Sequence, residues 1–431
     1  MPRVFQYEMK RSVDLIMTLK KLIEKKDQMA DWIIGDITHI IQTFEKRPPG
    51  SKGELQACEY YAELCEEYGC EEVVIEEFEE HPNSFFGWIY FAVTFVLISM
   101  ATYWFAPIIS AILCTCGAVI ALLQFGMYKK FVDRFFKKAT GHNMMAIKKP
   151  KGEVKQRIFF NGHCDAVWEW PVNYLLGGIG FEAHAVLGFA GLFYTLGISI
   201  ASMIKNGSIF GGPSTLLLTK MGVYGLAFVP FLIGLYFLWN EHHIVDGAND
   251  NLTGCEMGIA VLKALHDEGI ELEHTEVGVI ICGSEEAGLR GSKAWAEAHK
   301  GEFQDVPTII YSYDTMHDPK WLMANYRDLN GTIKTDKQAN DIFMKACEEL
   351  GIACRKGWVP PLGGATDTAA FTQGGFRSGG VTGLNHKLEN YYHTRRDTYD
   401  NLSHQGIGDC YAASMKVLEM FENGVLYEDE K

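Results

Sequence analysis

The residues with the greatest chemical capacity in this chain are His163-x-Asp165, Asp250-Asn251, Glu285-Glu286, Asp314 and His393. Imidazole nitrogen and carboxylate oxygen are donors that zinc accepts, and a catalytic ion keeps one position open for water or substrate. Two such ions can share a carboxylate, polarise a carbonyl and acidify the attacking water. A base must still take that water's proton, so one carboxylate beside the metals has to stay unligated. Adjacent Glu285 and Glu286 can divide these duties, one binding metal while the other faces the water. The chemistry implied is metal-assisted hydrolysis of an amide.

Such residues act together only if the chain delivers them to one place. His163 follows the strand-like run RIFFNG, Glu285 and Glu286 follow EVGVIICGS, and Asp314 follows TIIYSY. Strand patterns are expected at Glu72–Phe78, Asn143–Lys148, Arg157–Asn161, Glu276–Cys282 and Pro307–Tyr313. Helical patterns are expected at Gly53–Tyr68, Asn251–Glu268, Leu289–His299, Lys337–Leu350 and Asp409–Glu422. Alternation of this kind implies an α/β sandwich around a mostly parallel sheet. In such sheets ligands gather beyond the carboxyl ends of the strands, where three of these segments carry their metal-ligand types.

Two apolar blocks interrupt the pattern. No charged residue occurs from Asn83 to Tyr128, and Phe85 to Tyr128 is long enough for two helices of about 20 residues each, broken at Ala106-Pro107. Trp88, Tyr90, Tyr103, Trp104 and Tyr128 cluster toward the ends, as interfacial anchors do. A second pair is expected at Ala183–Ile204 and Met221–Trp239, joined by the Gly/Ser-rich loop KNGSIFGGPSTLLLTK. About four transmembrane helices follow from this reading, and two hairpins return the chain to the side it left. Lys129, Lys130, Arg134, Lys137 and Lys138 lie on the catalytic side, against Lys205 and Lys220 opposite, which makes the catalytic side cytoplasmic. Glu182 and His184 fall where the third span is expected to begin and read as interfacial.

The bulk composition agrees. Charged residues at 22% and aromatics at 13% exclude a disordered chain. A net charge of −15 argues against nucleic acid as a partner. Eleven cysteines, an odd number without zinc-finger spacing, fit free thiols in a reducing compartment. The start MPRVFQYEMKRSVDLIMTLKK is amphipathic and charged, without the apolar core of a signal peptide.

As an ordered set the motifs go further. The chain resembles the zinc peptidase family that includes aminopeptidase S, the glutamate carboxypeptidases and the glutaminyl cyclases. The matching elements are Arg47-Pro-Pro-Gly-Ser51, Gly162-His-Cys-Asp165, Gly247-Ala-Asn-Asp-Asn251 and Glu285-Glu-Ala-Gly288. They continue with Tyr313-Asp314, Thr366-Asp367 and Tyr392-His-Thr394 with Asp397. The resemblance implies a three-layer α/β sandwich with a mixed, mostly parallel sheet. It implies two Zn2+, although Co2+ or Mn2+ would suit the same donors. His163, Asp250 and Asp314 would hold one ion, and Asp250, Glu286 and His393 the other. Glu285 would be the general base, Asp165 would orient His163, Tyr392 would donate to the developing oxyanion, and Asp367 would shape the substrate site. The peptidase domain then comprises residues 1–84, 129–171 and 241–431, with hairpins at 85–128 and 172–240.

Each motif alone has an ordinary explanation. His-x-Asp recurs by chance, Asp-Asn starts helices, and Glu-Glu pairs are commonly solvated surface. His242, His243, His317 and His386 lack supporting motifs and read as loop or structural histidines, and Cys164 as a small packing residue. The leading functional reading is a membrane-embedded aminopeptidase acting on peptides, including apolar or membrane-derived ones, with the lipid bilayer as its surroundings. Alternatives are an N-acyl amino-acid amidohydrolase or glutaminyl-cyclase-like enzyme, and a non-catalytic receptor or scaffold built on a peptidase fold. Oligomeric state is not encoded in any of these patterns.

Overall fold

The computed structural model describes residues 15, 17–385 and 389–426, so most of the amphipathic N-terminal stretch and His386 lie outside the described residues. Eight strands form the main sheet: β1 (Glu72–Glu80), β2 (Ala139–Lys148), β3 (Gln156–His163), β4 (Thr275–Cys282), β5 (Thr308–Asp314), β6 (Met323–Asn325), β7 (Arg355–Gly357) and β8 (Ser378–Thr382). Their spatial order is β1-β2-β4-β3-β5-β8-β6-β7. The central β4, β3, β5 and β8 run parallel, while β1, β2 and β6 join antiparallel.

The two faces of each strand separate two apolar layers, because successive side chains point to opposite sides. On one face Phe160, Val279 and Tyr311 pack under helices α1 (Lys26–Thr43), α2 (Lys52–Glu67) and α8 (Thr253–Asp267). The same layer includes α10 (Lys337–Leu350) and α12 (His404–Glu422). On the other, Phe159, Ile280 and Ile310 pack against Trp295 of α9 (Arg290–Ala298) and Phe371 of α11 (Asp367–Gly374). The result is a three-layer sandwich with a mixed sheet.

The apolar blocks form helices attached to this sandwich. The first gives α3 (Ser84–Thr102) and α4 (Pro107–Ala121), with proline in the first turn of α4, where its missing N–H costs nothing. The second gives α5 (Pro171–Asn206), then α6 (Leu216–Gly225) and α7 (Val229–Leu235). Among the described residues, four helical segments are long and apolar enough to cross a membrane. The second hairpin departs from its expected bounds. Helix α5 starts at Pro171 rather than near Ala183 and is interrupted at Gly177 (φ 68°), so Glu182 and His184 lie inside the helix beyond that break. Its second arm begins at Leu216, where the Thr215 side chain accepts the Leu218 N–H, and takes in Lys220. Likewise α12 begins five residues before the expected Asp409, capped by Ser403.

A buried polar node joins the first hairpin to the sandwich. Asp133 Oδ1 accepts from Ser84 Oγ at 2.9 Å, Gln124 Nε2 at 2.9 Å and Arg290 Nη2 at 3.0 Å. Gln124 in turn accepts the N–H groups of Phe131 and Val132. Removing one partner of a buried pair leaves the other charge uncompensated. Asp133→Ala is therefore expected to cost about 3 kcal/mol in denaturant unfolding of the purified protein, and Asp133→Ala with Arg290→Met to cost less. A double variant that loses the sum of the Asp133→Ala and Arg290→Met losses would show that the node is not coupled.

Candidate active site

The sheet register gathers the site. Parallel pairing sets His163 level with Cys282, and Asn161 level with Ser312. Continuing that register places Asp314 beside His163, and Glu285 and Glu286 begin three residues past Cys282. At Gly162 a Cβ would come within 2.3 Å of the Cys255 backbone nitrogen, so only glycine lets α8 approach β3 here. That approach brings the turn before α8, carrying Asp250, to the end of β3. The Asp250–Asn251 peptide is cis. His393 comes from the loop between β8 and α12.

The donors converge. Asp250 Oδ1 lies 3.3 Å from His163 Nε2, and its Oδ2 lies 3.0 Å from His393 Nε2. Glu286 Oε1 is 3.1 Å from the same His393 nitrogen, and Glu285 Oε2 is 3.9 Å from His163 Nε2. Ligand atoms of His163, Glu285 and Asp314 lie within 4.8 Å of one another, as do those of Asp250, Glu286 and His393. Asp250 thus faces both imidazoles, while Glu285 sits with the His163 group. All of these residues are buried except Asp314, which is half-buried.

Donors arranged tetrahedrally at about 2.1 Å from a zinc ion lie roughly 3.4 Å apart, which matches the separations among these groups. His163 Nε2, Asp250 Oδ2 and Glu286 Oε1 are buried without a hydrogen-bond partner among the described residues. Five carboxyl groups (Asp165, Asp250, Glu285, Glu286 and Asp314) face two imidazoles. Burial raises Glu285 well above the ordinary carboxylate range, with His163 opposing and Glu286 adding. Burial and then Asp250 push Asp314 up to about 7. Asp250, though buried, is held low by His163 and His393. His393 is pushed up to about 10 by Glu286 and Asp250, against burial. A buried excess of negative charge with unpaired donors is the environment a divalent cation stabilises, and the residues fit zinc.

Supporting contacts aim these side chains. Asp165 does more than face His163 Nδ1 at 3.3 Å. Its two oxygens accept the backbone N–H groups of Glu285 and Glu286, each at 3.0 Å, and so fix that turn. Beneath it, Ser284 Oγ contacts carboxyl oxygens of both Glu54 and Glu80. Burial and then Glu54 push Glu80 up to about 9, so it keeps a proton near neutral pH. Arg47 Nε donates to Cys164 O at 2.8 Å and holds the turn after His163. Cys164 is buried with its Sγ 3.7 Å from that of Cys58, and all eleven cysteines are free thiols.

Several residues had no role assigned by motif. Asp397 accepts the N–H groups of Asn249 and Asp250 at 2.8 and 3.1 Å, and also Asn249 Nδ2. Its place in the Tyr392–Asp397 motif was the available signal. Trp170 packs edge-on against His393 with ring centroids 4.1 Å apart, and its backbone N–H donates to His393 O at 2.8 Å. Asn173 Nδ2 donates to Tyr392 O at 2.7 Å, and Glu169 pairs with both Nε and Nη2 of Arg395. These residues sit at the root of the second hairpin, where sequence alone shows no link to the site. Tyr392 lines a cavity with Glu285, Glu286 and His393. Asp367 is buried, is pushed up to about 6 by burial, and does not line that cavity. His317 Nδ1 lies 2.9 Å from Asn249 Oδ1, a supporting position, and His242 and His243 are exposed.

Comparison with known proteins agrees with this geometry. The model of Peptidase family M28 matches residues 237–418, the stretch that carries Asp250, Glu285, Glu286, Asp314 and His393. An aminopeptidase from Aneurinibacillus sp. strain AM-1 superposes with a TM-score of 0.54 at 14% identity, covering 93% of this chain and 95% of the other. BSAP, a zinc aminopeptidase from Bacillus subtilis, gives 0.52 at 13% identity, covering 89% and 94%. A Bacteroides thetaiotaomicron glutaminyl cyclase gives 0.51 at 11% identity, covering 90% and 97%. At these identities the likeness establishes the fold. No curated protein sequence matches the chain.

The supporting contacts generate one quantitative expectation. Loss of a carboxylate that orients metal ligands commonly weakens metal binding about 10- to 100-fold. Asp397→Ala is expected to weaken zinc binding by that order in competition with a chromogenic chelator. Unchanged affinity would mean that Asp250 does not depend on Asp397 for its position.

Proposed function

We propose that this chain is a membrane-embedded two-zinc exopeptidase that acts as an aminopeptidase, a reading supported by the M28 match and by the fold. The observation that carries the reading is Asp250, which presents one oxygen to His163 and the other to His393, with Glu285 beside the first group. In this reading His163, Asp250 and Asp314 hold one ion, and Asp250, Glu286 and His393 the other. When bound, the ions would polarise the scissile carbonyl and acidify the attacking water.

The protein groups do the rest. Glu285, raised by burial, takes the proton of the attacking water and returns it to the leaving amine. Asp165 holds the Glu285–Glu286 backbone so that the two carboxylates diverge, one to a metal and one to the water. Tyr392 borders the same cavity and donates to the oxygen that gains charge. Trp170 covers His393 and keeps water off that side of the imidazole. Asp367, buried and off the cavity lining, is assigned to shaping the substrate site by the motif alone.

The membrane part of the reading is supported by the four apolar helices, grouped as hairpins at 85–128 and 172–240 within a peptidase domain of 1–84, 129–171 and 241–431. The basic run Lys129–Lys138 adjoins the sandwich and supports a cytoplasmic catalytic domain by the positive-inside tendency.

The test is metal content together with turnover of chromogenic aminoacyl and N-acyl amides by the detergent-purified protein. Two zinc per chain and cleavage of free-amine substrates are expected, with Glu285→Gln binding the same metal and slower by about a thousandfold. Cleavage of N-acyl substrates alone would replace the aminopeptidase by an amidohydrolase. Metal binding without cleavage of either class would favour the non-catalytic reading.

A further inference from the structure

The cavity that contains the proposed catalytic groups does not end at them. It has a volume of about 490 Å³, with Glu285, Glu286, Tyr392 and His393 at one end, and continues between the apolar helices. One stripe of α3 lines it, Phe85, Ile89, Ala92, Val93 and Val96, at the i, i+4 and i+7 spacing of a single helix face. The N-terminal end of that stripe abuts the catalytic turn, since a Cβ on Gly288 would strike the Phe85 ring at 2.6 Å. Eleven residues farther along, Val96 is about 16 Å away at the helical rise. Opposite α3, Leu192 of α5 and Leu232 of α7 close the wall.

The walls select what can occupy this space. Apart from Tyr128, Tyr392 and the catalytic groups, Glu182 is the one titratable side chain among the described lining residues. A peptide threaded here would bury an N–H and a C=O at each residue without partners, at a cost of a few kcal/mol each. A hydrocarbon chain has no such groups and fills the same volume without penalty. Zigzag C–C bonds of about 1.5 Å make 16 Å equivalent to roughly a dozen carbons. Glu182 and Val186, one turn apart on α5, line the cavity and are also exposed, so it lies directly behind the outer face of that helix. That face belongs to a segment apolar enough to span a membrane.

We propose that this interhelical cavity is a binding site for a single extended hydrocarbon chain of the substrate, attached beside the scissile amide. The substrate class is then a lipid-tailed amide, reached from the bilayer side. The proposal rests on the hydrolase reading above and deepens it. The reaction balances as the amide R–CO–NH–R′ plus one water giving the carboxylic acid R–COOH and the primary amine of R′. The C–N bond breaks, a C–O bond forms, and the proton from water goes to the amine nitrogen. The tail can be R, as in a fatty-acyl amino acid, or R′, as in an aminoacyl alkylamide, and the cavity accepts either.

The experiment has two parts on the full-length protein. Turnover is measured for both substrate types with tails from about 4 to about 16 carbons. kcat/KM is expected to rise about two- to fourfold per methylene and to level off near a dozen carbons. Val93→Trp, or Ala121→Phe should the first fold poorly, is expected to move that plateau several carbons shorter. The ratio of long to short substrate within one variant is the readout, so partial loss of active protein cancels. In parallel, a dodecanoyl amino acid brominated near its tail end is titrated into metal-stripped protein. Contact quenching of tryptophan fluorescence is expected, and it should diminish in Trp88→Phe, because Trp88 lines the cavity. A profile indifferent to tail length, or a plateau unmoved by Val93→Trp, overturns the proposal while leaving the hydrolase intact. Quenching that depends on Trp88 without turnover of any substrate upholds the cavity and removes the hydrolase reading.

Discussion

Asp250 stands between two imidazoles, and the rest of the site follows from keeping it there. A carboxylate buried to that degree is tolerable only with positive charge on both sides, and its oxygens lie 3.3 and 3.0 Å from His163 and His393. The backbone beside it is fixed by Asp397, and the turn opposite by Asp165. Each of these carboxylates adds negative charge to a place that already has too much. A divalent cation at the centre would offset that charge, so the geometry and the charge balance point to the same chemistry.

The apolar helices take part in this arrangement. Glu169, Trp170 and Asn173 lie at the root of the second hairpin and grip the loop that carries Tyr392 and His393. Asp133 and Gln124 tie the first hairpin to Arg290, in the helix that follows the Glu285–Glu286 turn. Both insertions occur where strand-end loops would otherwise be, the positions at which an α/β sandwich tolerates extra chain. A tilt of either hairpin would therefore reach a metal-ligand candidate through a short series of buried contacts.

Burial has a second consequence. The face of the site turned toward the helices is apolar, so Glu285 is desolvated and its affinity for a proton rises. That is the direction a group needs if it is to accept a proton from water and then release it to an amine. One apolar space thus sets both the protonation behaviour of the candidate base and the kind of molecule that can lie against it.

Sequence by itself determined the parts that depend on local pattern. The strands before His163, Glu285 and Asp314, the helices Lys52–Glu67 and Lys337–Leu350, and the apolar segments are all visible from periodicity and hydropathy. Helix Lys26–Thr43 carries a periodic signal too, since Ile33, Ile37 and Ile40 lie on one buried face. Strand Ser378–Thr382 left almost none, because its two glycines are ordinarily poor strand formers and pairing with Thr308–Asp314 and Met323–Asn325 makes it one. The ligand types were legible because few side chains can hold zinc. What tertiary structure decided was partnership: that Asp165 supports a turn 120 residues away, that Asp397 steadies Asp250, that Trp170 covers His393, and that the helices enclose a cavity continuous with Glu285. Such contacts join residues distant along the chain, and no local pattern records them, because their energies arise only after folding has brought the groups together.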